Sequence, residues 1–301
     1  MLYLYNEYFS PLARFKRLLG KVSRGPDRLF QSLIRGLGEL GVEYKVNPAF
    51  KGIIATACVL SGVTILKAAI KNKRKGIVKK IVAGPNLVIT PNDAGGILKS
   101  PLIDTIVVPS QWVKDFYISL APELSSKIFI WAAGVDLPEG WKSEVGNRRL
   151  EIDFLIFNKV KDQNLKNQIK TFLEQDVYRV ADVKYGQYNQ QQYFNLLERS
   201  KNLIYLSESE SQGLAMFEAW AYNIPTLVWD RGYMEYGKHR FSGDTASPYL
   251  SAQTGIRFTD FKDFKDVLPK FLNASFFPRQ WVEKNASNKL AAEKYLEIIT
   301  L

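Results

Sequence analysis

Short apolar runs alternate with amphipathic helical patterns along almost the whole chain, and this alternation restricts the fold more than any other feature. The first series of strand-like runs covers residues 2–5, 52–59, 81–82, 87–89, 105–108 and 127–130. The second series covers residues 152–157, 177–183, 202–206, 226–229 and 255–258. Helical patterns lie between them, at 27–40, 111–119, 164–174, 190–199, 213–222 and 261–273. Strands and helices in this order form parallel sheets covered by helices, so the sequence predicts an α/β protein.

A polar stretch rich in Pro and Gly, residues 137–146, separates the two series and is typical of an interdomain linker. At 301 residues, the chain is long enough for two domains that each have a core. A last helical pattern covers residues 281–299. We therefore expect one domain on each side of the linker, followed by a C-terminal helix.

The most informative local pattern is a strand, a tight loop and a helix over residues 202–221. A helix start has unpaired N–H groups and the positive end of the helix dipole, which suits a phosphate, and Gly213 lets the backbone approach such a ligand. Glu218 would lie roughly 7–8 Å along the helix, about the distance from a diphosphate to its ribose, whose hydroxyls its carboxylate can bind. Glu210, in the loop, would face the transferred group. The spacing alone fits an ordinary surface loop and amphipathic helix equally well.

Glu210 and Glu218 are separated by seven residues that include Gly213-Leu214, and an Ala-Trp-Ala-Tyr-Asn-Ile-Pro-Thr-Leu-Val run follows. This pattern resembles the signature of retaining glycosyltransferases of family 4, which have the GT-B fold. Weaker likeness occurs at residues 107–113, 134–136 and 254–258. The resemblance implies two Rossmann-like parallel-sheet domains facing across a cleft: an acceptor domain over 1–140, a nucleotide-sugar donor domain over 141–280, and a C-terminal helix over 281–301 packed back onto the first domain.

The resemblance also implies roles for individual residues. Lys159 takes the position of an arginine that holds the donor diphosphate in the family, and Lys161 is the candidate for a nearby lysine, in a loop that is shorter here. Glu210, Lys159 and Lys161 are the predicted catalytic residues. The loop over 21–28 resembles the family's glycine loop, although it contains a single glycine. The predicted nucleotide-sugar ligands are Glu218, Gly213, Leu214, Tyr188, Arg24 and Gly25, and the predicted acceptor ligands are Asn86 and Arg28.

Two of these residues have simpler interpretations. Tyr188 fits a place beside the nucleotide base or in the protein core. Asn86, in a Gly-Pro-Asn sequence, fits an acceptor site or a plain turn.

The sequence argues against several other mechanisms. His239 is the only histidine, and no glycine-x-serine-x-glycine motif accompanies it, which argues against hydrolysis by a histidine triad. An Asp-x-Asp pair that could hold a metal with a sugar nucleotide is also missing. We therefore expect neither a metal nor a cofactor beyond the nucleotide-sugar donor. The resemblance implies retention of anomeric configuration by front-face attack, in which the departing phosphate helps deprotonate the acceptor hydroxyl.

Charge is distributed unevenly. Residues 1–150 contain 22 Lys/Arg against 11 Asp/Glu, whereas residues 151–301 contain 19 of each. A basic stretch over 67–80 has no acidic residue. Such runs are usually solvated helix faces, but a one-sided excess also attracts anions. The expected partners are a nucleotide sugar, a glycan, lipid-linked or other anionic acceptor, and an anionic membrane surface contacted peripherally, with nucleic acid as a further candidate.

Cysteine content and apolar runs bear on location. The single Cys58 excludes an intramolecular disulfide and is expected in the core, which fits a reducing cytoplasm. The longest uncharged run, residues 52–66, is shorter than the roughly 20 residues that span a bilayer. We predict a cytoplasmic glycosyltransferase of glycan biosynthesis, peripheral at a membrane surface. The alternatives are a nucleotide-sugar epimerase of the same fold, a nucleic-acid-modifying glycosyltransferase and a non-catalytic binding protein.

Overall fold

The computed structural model describes residues 1–7, 25–138 and 150–301 and divides into two compact units. The first unit comprises Met1–Gly134 and Asn288–Leu301, and the second comprises Val135–Ser287. Each unit contains a parallel sheet with helices packed on it, which confirms the predicted α/β class. From residue 139 onward, the predicted linker lies outside the described residues.

The first unit has a six-stranded sheet in the order β2-β1-β3-β4-β5-β6, and every paired strand in it runs parallel. Cys58 lies in the middle of the sheet, opposite Leu4, and has no exposed surface, as predicted. Burial raises the pKa of its thiol to about 12, so Cys58 is an inert core residue. The strands are β1 Leu2–Tyr5, β2 Tyr44–Val46, β3 Ile54–Ser61, β4 Val78–Asn86, β5 Thr105–Val108 and β6 Ile128–Ile130.

The C-terminal helix of the chain packs on the first helix of this unit. Gly36 makes the close approach possible, because a Cβ there would lie 2.0 Å from the carbonyl oxygen of Asn288. Trp131 also contacts the C-terminal helix, since its indole N–H donates to the carbonyl of Ala291 over 2.7 Å. The helices are α1 Gly25–Glu39, α2 Val63–Arg74, α3 Gln111–Leu120 and α9 Asn288–Thr300, with short helical turns at Asp93–Gly96, Ile97–Lys99 and Pro122–Lys127.

The second unit has a five-stranded parallel sheet in the order β13-β10-β9-β7-β8. The neighbouring strands β7, β9 and β10 are mostly buried because both faces are covered, whereas the edge strand β8 exposes Asp182 and Lys184. An antiparallel hairpin, β11 and β12, is inserted between β10 and β13. The strands are β7 Ile152–Asn158, β8 Val180–Lys184, β9 Ser200–Leu206, β10 Thr226–Trp229, β11 Tyr233–Tyr236, β12 His239–Ser242 and β13 Gly255–Phe258.

The helices of the second unit cover its sheet. Phe154, Ile204 and Leu227 of the sheet pack with Phe264 and Leu268 in one apolar cluster. The helices are α4 Asn164–Gln175, α5 Gln190–Glu198, α6 Leu214–Ala221, α7 Phe261–Asn273 and α8 Pro278–Asn285. Among the described helices, none is long and apolar enough to cross a membrane.

Two predicted elements are wrong. The strand expected over 87–89 does not exist, because the N–H groups of Ile89 and Thr90 donate to the carboxylate of Asp93 instead of to a neighbouring strand. The helix expected over 281–299 is two helices, α8 in the second unit and α9 in the first. The break occurs at Ala286, whose carbonyl accepts the N–H of Val135 over 2.9 Å and is not available to continue a helix.

Candidate functional site

The loops that follow β7, β8 and β9 meet at the carboxyl edge of the second sheet. These strands are neighbours and run parallel, so their loops emerge on the same side. Backbone hydrogen bonds join the loops: Lys159 donates to the carbonyl of Leu206 over 2.8 Å, and Tyr185 donates to that of Asn158 over 2.9 Å. This edge is where open α/β sheets bind their ligands.

The structure brings two of the predicted catalytic residues together. The Nζ of Lys159 lies 2.8 Å from Oε1 of Glu210. The hydroxyl of Tyr205 donates to the same oxygen, also over 2.8 Å. The Nζ of Lys159 also lies 4.9 Å from the ring centroid of Tyr185, within the range of a cation–π contact. One carboxylate oxygen therefore accepts from a cation and a phenol at once.

Charge and burial set the protonation of this group. Burial lowers the pKa of Lys159, but the charge of Glu210 and the hydrogen bond to it outweigh burial, so the pKa is raised above its ordinary value. Burial and then the Glu210 charge raise the pKa of Tyr205 well above its ordinary value. Both groups are therefore protonated at neutral pH, and Lys159 remains a cation at the sheet edge.

An aromatic cluster packs around Tyr205, which donates to Glu210. Phe157 of β7 is paired with Tyr205 of β9, and their rings stack with centroids 4.8 Å apart. Tyr188 is half-buried, with its ring 5.9 Å from Phe157 and 5.4 Å from Tyr193. Tyr188 thus belongs to the aromatic cluster at the sheet edge. Its contact with a nucleotide base stays a prediction.

Gly213 and Leu214 form the start of α6. Gly213 has a φ of 89°, in the left-handed region that favours glycine, and a Cβ there would lie 2.4 Å from Cε of Met216. Its carbonyl accepts the N–H groups of Met216 and Phe217. The N–H groups that precede these have no acceptor within the helix, and α6 therefore presents its positive end at the same edge.

Glu218 is a buried carboxylate in α6. Only 6% of its surface is exposed, and its Oε1 accepts from Nε2 of Gln190, at the start of α5, over 3.3 Å. The other residues of α6 from Ala215 to Ala221 are buried too. A carboxylate in so apolar a helix is costly unless polar groups compensate for its burial.

Lys161 follows Lys159 by two residues and is exposed. The loop around it is ordered by Gln163, which accepts from Nδ2 of Asn158 over 2.6 Å and donates to the carbonyl of Val160 over 2.9 Å. The role of Lys161 as a second cation for the diphosphate stays a prediction.

The remaining predicted ligands belong to the first unit. Gly25 is the first residue of α1, and Arg28 is half-buried in the same helical turn. Asn86 ends β4 and is half-buried. Arg24 lies outside the described residues. The roles of all four stay predictions.

Two polar residues of the carboxyl edge are missing from the sequence-based set. Tyr205 lies in an apolar strand and looks like a core residue, so its sequence position gives no signal. Asp230 directly follows β10, and a carboxylate at the end of a parallel strand is a usable signal. Its Oδ1 accepts the N–H of Gly232 over 2.9 Å, and its Oδ2 accepts that of Ala246 over 3.1 Å. Within the described part of the chain, no group of three or more His, Cys, Asp or Glu residues is placed to hold a metal ion.

No protein-family model matches the chain, and no curated protein matches it. Several solved structures are similar to it in fold. One is the lipopolysaccharide outer core galactosyltransferase WaaB in its apo form, with a TM-score of 0.61 and 10% identity over 100% of this chain and 99% of that one. Another is sucrose-phosphate synthase from Thermosynechococcus elongatus, with a TM-score of 0.56 and 11% identity over 99% and 98% of the two chains.

A third similar structure is a UDP-GlcNAc 2-epimerase from Methanocaldococcus jannaschii, with a TM-score of 0.51 and 11% identity over 99% of both chains. At such identities, the likeness shows the fold alone. The structural neighbours include GT-B glycosyltransferases, and the chain has two parallel-sheet α/β domains. The predicted class is therefore confirmed: this chain has a GT-B fold of two Rossmann-like domains.

Proposed function

We propose that this chain is a retaining glycosyltransferase of family 4, which moves a sugar from a nucleotide-diphosphate sugar to a hydroxyl group of an acceptor. One observation carries the proposal. The ammonium of Lys159 and the carboxylate of Glu210 meet at the carboxyl edge of the second sheet, where Gly213 opens the helix that contains Glu218. A cation beside a helix start suits a diphosphate, and a carboxylate farther along the helix suits its ribose.

In this proposal, Lys159 and the N–H groups at Leu214 stabilise the departing diphosphate, as preorganised donors do when charge develops on a leaving group. Lys161 supplies a second cation from its exposed loop. Glu218 accepts bonds from the ribose hydroxyls, and Glu210 lies on the side of the sugar. The donor is the only bound small molecule that this chemistry requires, without a metal or a further cofactor.

The proposed reaction retains configuration. The bond between the anomeric carbon and the diphosphate oxygen breaks, and a bond to the acceptor oxygen forms on the same face of the sugar. The acceptor proton passes to an oxygen of the departing phosphate, so the reaction needs no protein base. This agrees with a chain whose only histidine is His239.

We place the acceptor on the first unit, near Gly25, Arg28 and Asn86, with Arg24 as a further ligand. The excess of basic residues in the first half of the chain favours an anionic acceptor, whether a glycan, a lipid-linked sugar or another anion. Glycan biosynthesis in the cytoplasm is the process that these features fit best.

A nucleotide-sugar epimerase is the second candidate function. The likeness to UDP-GlcNAc 2-epimerase covers 99% of both chains and supports it. Product analysis separates the two, because a transferase yields a glycoside and a nucleoside diphosphate, whereas an epimerase yields an epimer.

Ligand binding tests the donor site most directly. A thermal-shift panel of nucleoside diphosphates and sugar nucleotides should identify a ligand that raises the apparent melting temperature. For that ligand, Glu218→Ala should weaken binding about a hundredfold in calorimetry, because two hydrogen bonds to a charged acceptor are lost. Glu208→Ala, at an exposed carboxylate in the loop that precedes α6, is the matched control. Unchanged affinity in a folded Glu218→Ala protein would contradict the proposal.

A specific surface supports the proposed contact with an anionic membrane. Lys67, Lys71 and Lys75 are exposed and spaced four residues apart, so they follow one face of α2 and its C-terminal end. Ile53, 73% exposed, lies beside the turn after α2, since the next residue donates its N–H to the carbonyl of Ile77. A basic helix face with an exposed apolar side chain beside the turn that follows it matches a bilayer of anionic lipids.

Vesicle sedimentation tests this surface. The variant Lys67→Glu/Lys71→Glu/Lys75→Glu should lose binding to vesicles that contain phosphatidylserine, and the wild type should not bind vesicles of phosphatidylcholine alone. The control variant Lys262→Glu/Lys265→Glu/Lys270→Glu changes the net charge by the same amount, but on α7 of the second unit, and should still bind the vesicles that contain phosphatidylserine. Equal vesicle binding by both variants would overturn the proposal. Steeply salt-dependent binding to RNA or DNA, with no vesicle binding, would assign the surface to nucleic acid instead.

A further inference from the structure

A short segment, residues 244–247, crosses the carboxyl edge of the second sheet beside the Glu210 loop, and we call it the strap. Thr245, Ala246 and Ser247 have no exposed surface. The N–H of Glu210 donates to the carbonyl of Thr245 over 2.7 Å. The strap therefore fixes the backbone of the residue whose carboxylate contacts Lys159.

The strap is held by two charged side chains from neighbouring strands. Asp230, at the end of β10, is 3% exposed and accepts the N–H of Ala246. Arg257, on β13, donates from Nη2 to the carbonyl of Ser247 over 2.9 Å. The Nε of Arg257 also lies 3.7 Å from Oδ2 of Asp230. Each peptide group of the strap that is fixed in this way is buried, so loss of its partner has a cost.

Asp230 also determines where the strap begins. The hairpin of β11 and β12 is inserted between Asp230 and the strap. Asp230 accepts the N–H of Gly232 at the start of the insertion and that of Ala246 after its end. A second bond, from the N–H of Gly243 to the carbonyl of Gly232 over 2.8 Å, closes the base of the hairpin. One buried carboxylate thus sets the point at which the chain returns to the sheet edge.

We infer that Asp230 and Arg257 are positioning residues, which hold the strap against the Glu210 loop and thereby hold the Glu210 carboxylate on Lys159. Their effect passes from β13 and β10 to the loop after β9, across three adjacent strands. The predicted consequence for sugar transfer rests on the proposed function. The predicted change in the pKa of Lys159 does not rest on it, because that pKa is measured without a ligand.

Asp230→Asn removes one of the two acceptor oxygens and the charge that faces Arg257. The amide nitrogen must then oppose the N–H of Gly232 or that of Ala246, so either the base of the hairpin or the strap loses its acceptor, and in both cases the charge that faces Arg257 is gone. Asp244→Asn is the matched control, because the Asp244 carboxylate is 66% exposed and lies 3.2 Å from Nη2 of the same arginine. Both substitutions remove one negative charge near Arg257, but the buried Asp230 is screened less than the exposed Asp244, so the variant Arg257→Lys, which keeps its charge, separates loss of the strap from loss of charge.

The readout is the pKa of Lys159, measured by NMR on protein with ¹³C-labelled lysine, with the signal assigned from Lys159→Arg. The groups that face the Lys159 ammonium are Glu210 and Tyr185. If the strap holds Glu210 in place, Asp230→Asn lowers this pKa by about half a unit or more, as expected for a weakened ion pair. Asp244→Asn leaves it unchanged. An unchanged pKa of Lys159 in folded Asp230→Asn would overturn the inference.

Arg257→Lys is a second test that leaves Asp230 intact. It removes the guanidinium nitrogen that donates to the Ser247 carbonyl while keeping the charge. We expect the pKa of Lys159 to fall here as well, by less than in Asp230→Asn. If Asp230→Asn does not unfold cooperatively in urea, it is not folded well enough for this test, and Arg257→Lys becomes the only test of the inference. An unchanged pKa of Lys159 in Arg257→Lys would then overturn the inference.

Catalysis gives a separate readout. In folded Asp230→Asn, release of nucleoside diphosphate from the sugar nucleotide identified by thermal shift should fall about tenfold, because the Glu210 loop is misplaced. Affinity for the nucleoside diphosphate itself should change less than about threefold, because Glu218 is untouched. Failure of the wild type to bind any nucleotide would remove the proposed function while leaving the titration result for Lys159 intact.

Discussion

Both units of this protein contain ion pairs, such as Lys73 with Asp104 in the first, but their most prominent charge clusters differ. In the second unit, cations are matched by carboxylates: Lys159 meets Glu210, and Asp153 receives both Arg179 and Lys201. In the first unit, Lys67 and Lys71 extend from one exposed face of α2. Paired charges fix the geometry of loops, whereas a one-signed face produces a potential that acts on other molecules. The half of the sequence with balanced charge thus contains the paired cluster at the carboxyl edge, and the half with an excess of basic residues contains the exposed basic face of α2.

The largest expected difference comes from reversing a paired cation. Lys159→Glu would place a carboxylate against Glu210, whose side chain is only 10% exposed. We expect the free energy of unfolding to fall by about 2 kcal/mol, less than for a fully buried pair because the Lys159 side chain is 31% exposed. Urea unfolding measures the change. The double variant Lys159→Glu/Glu210→Lys should recover part of the loss, and a single variant as stable as the wild type would contradict the pairing.

Tyr205→Phe removes the second partner of the same carboxylate. The lost hydrogen bond ends on a charged acceptor, and we expect a loss of roughly 1.5 kcal/mol in urea unfolding. A double-mutant cycle with Glu210→Gln isolates the contact, since Tyr205 and Glu210 should be coupled while Tyr188→Phe and Glu210→Gln should add independently. A coupling energy near zero for Tyr205 would show that its hydroxyl does not hold Glu210.

Acid unfolding tests a second charge cluster of the same unit. The hydrogen bond from Arg179 lowers the pKa of Asp153 most, burial opposes it, and Lys201 lowers it further, so the net pKa lies well below its ordinary value. A depressed pKa stabilises the fold above the unfolded pKa of about 3.9, and this stability is lost as the pH falls through the lower native pKa. We expect the urea midpoint to fall with pH below about 5, and to fall less in Asp153→Asn. Equal slopes would refute the assignment.

The fold was largely predictable because the central strands of the second sheet are buried on both faces. The strands expected at 226–229 and 255–258 have those bounds, whereas β8 begins at Val180 and not at residue 177, since its start depends on register with β7. The hairpin at Tyr233–Ser242 was missed. Its strands pair only with each other, and their Tyr and Arg residues do not alternate between apolar and polar.

The candidate site was predictable only where its residues are close in sequence. Glu210, Gly213 and Glu218 lie on one loop and helix, so their spacing carries the information. The contact between Lys159 and Glu210 joins residues 51 positions apart and depends on β7 and β9 being neighbours. Tyr205 could not be predicted, because a tyrosine in an apolar strand carries no mark that its hydroxyl reaches a carboxylate.

The smallest expected effect is a gain in stability, opposite in sign to the loss expected for Lys159→Glu, and it sharpens the contrast between the two units. Lys67→Glu makes the same change as Lys159→Glu, but on the basic face of α2. It removes like-charge repulsion and places a carboxylate four residues before Lys71, the favourable order for a helical ion pair. We expect the free energy of unfolding to rise by about 0.5 kcal/mol at low salt and the gain to vanish near 1 M salt, where charges are screened beyond about 3 Å. A loss of stability in urea unfolding would mean that Lys67 is already held by a partner, and the face would then not be available to an anionic surface.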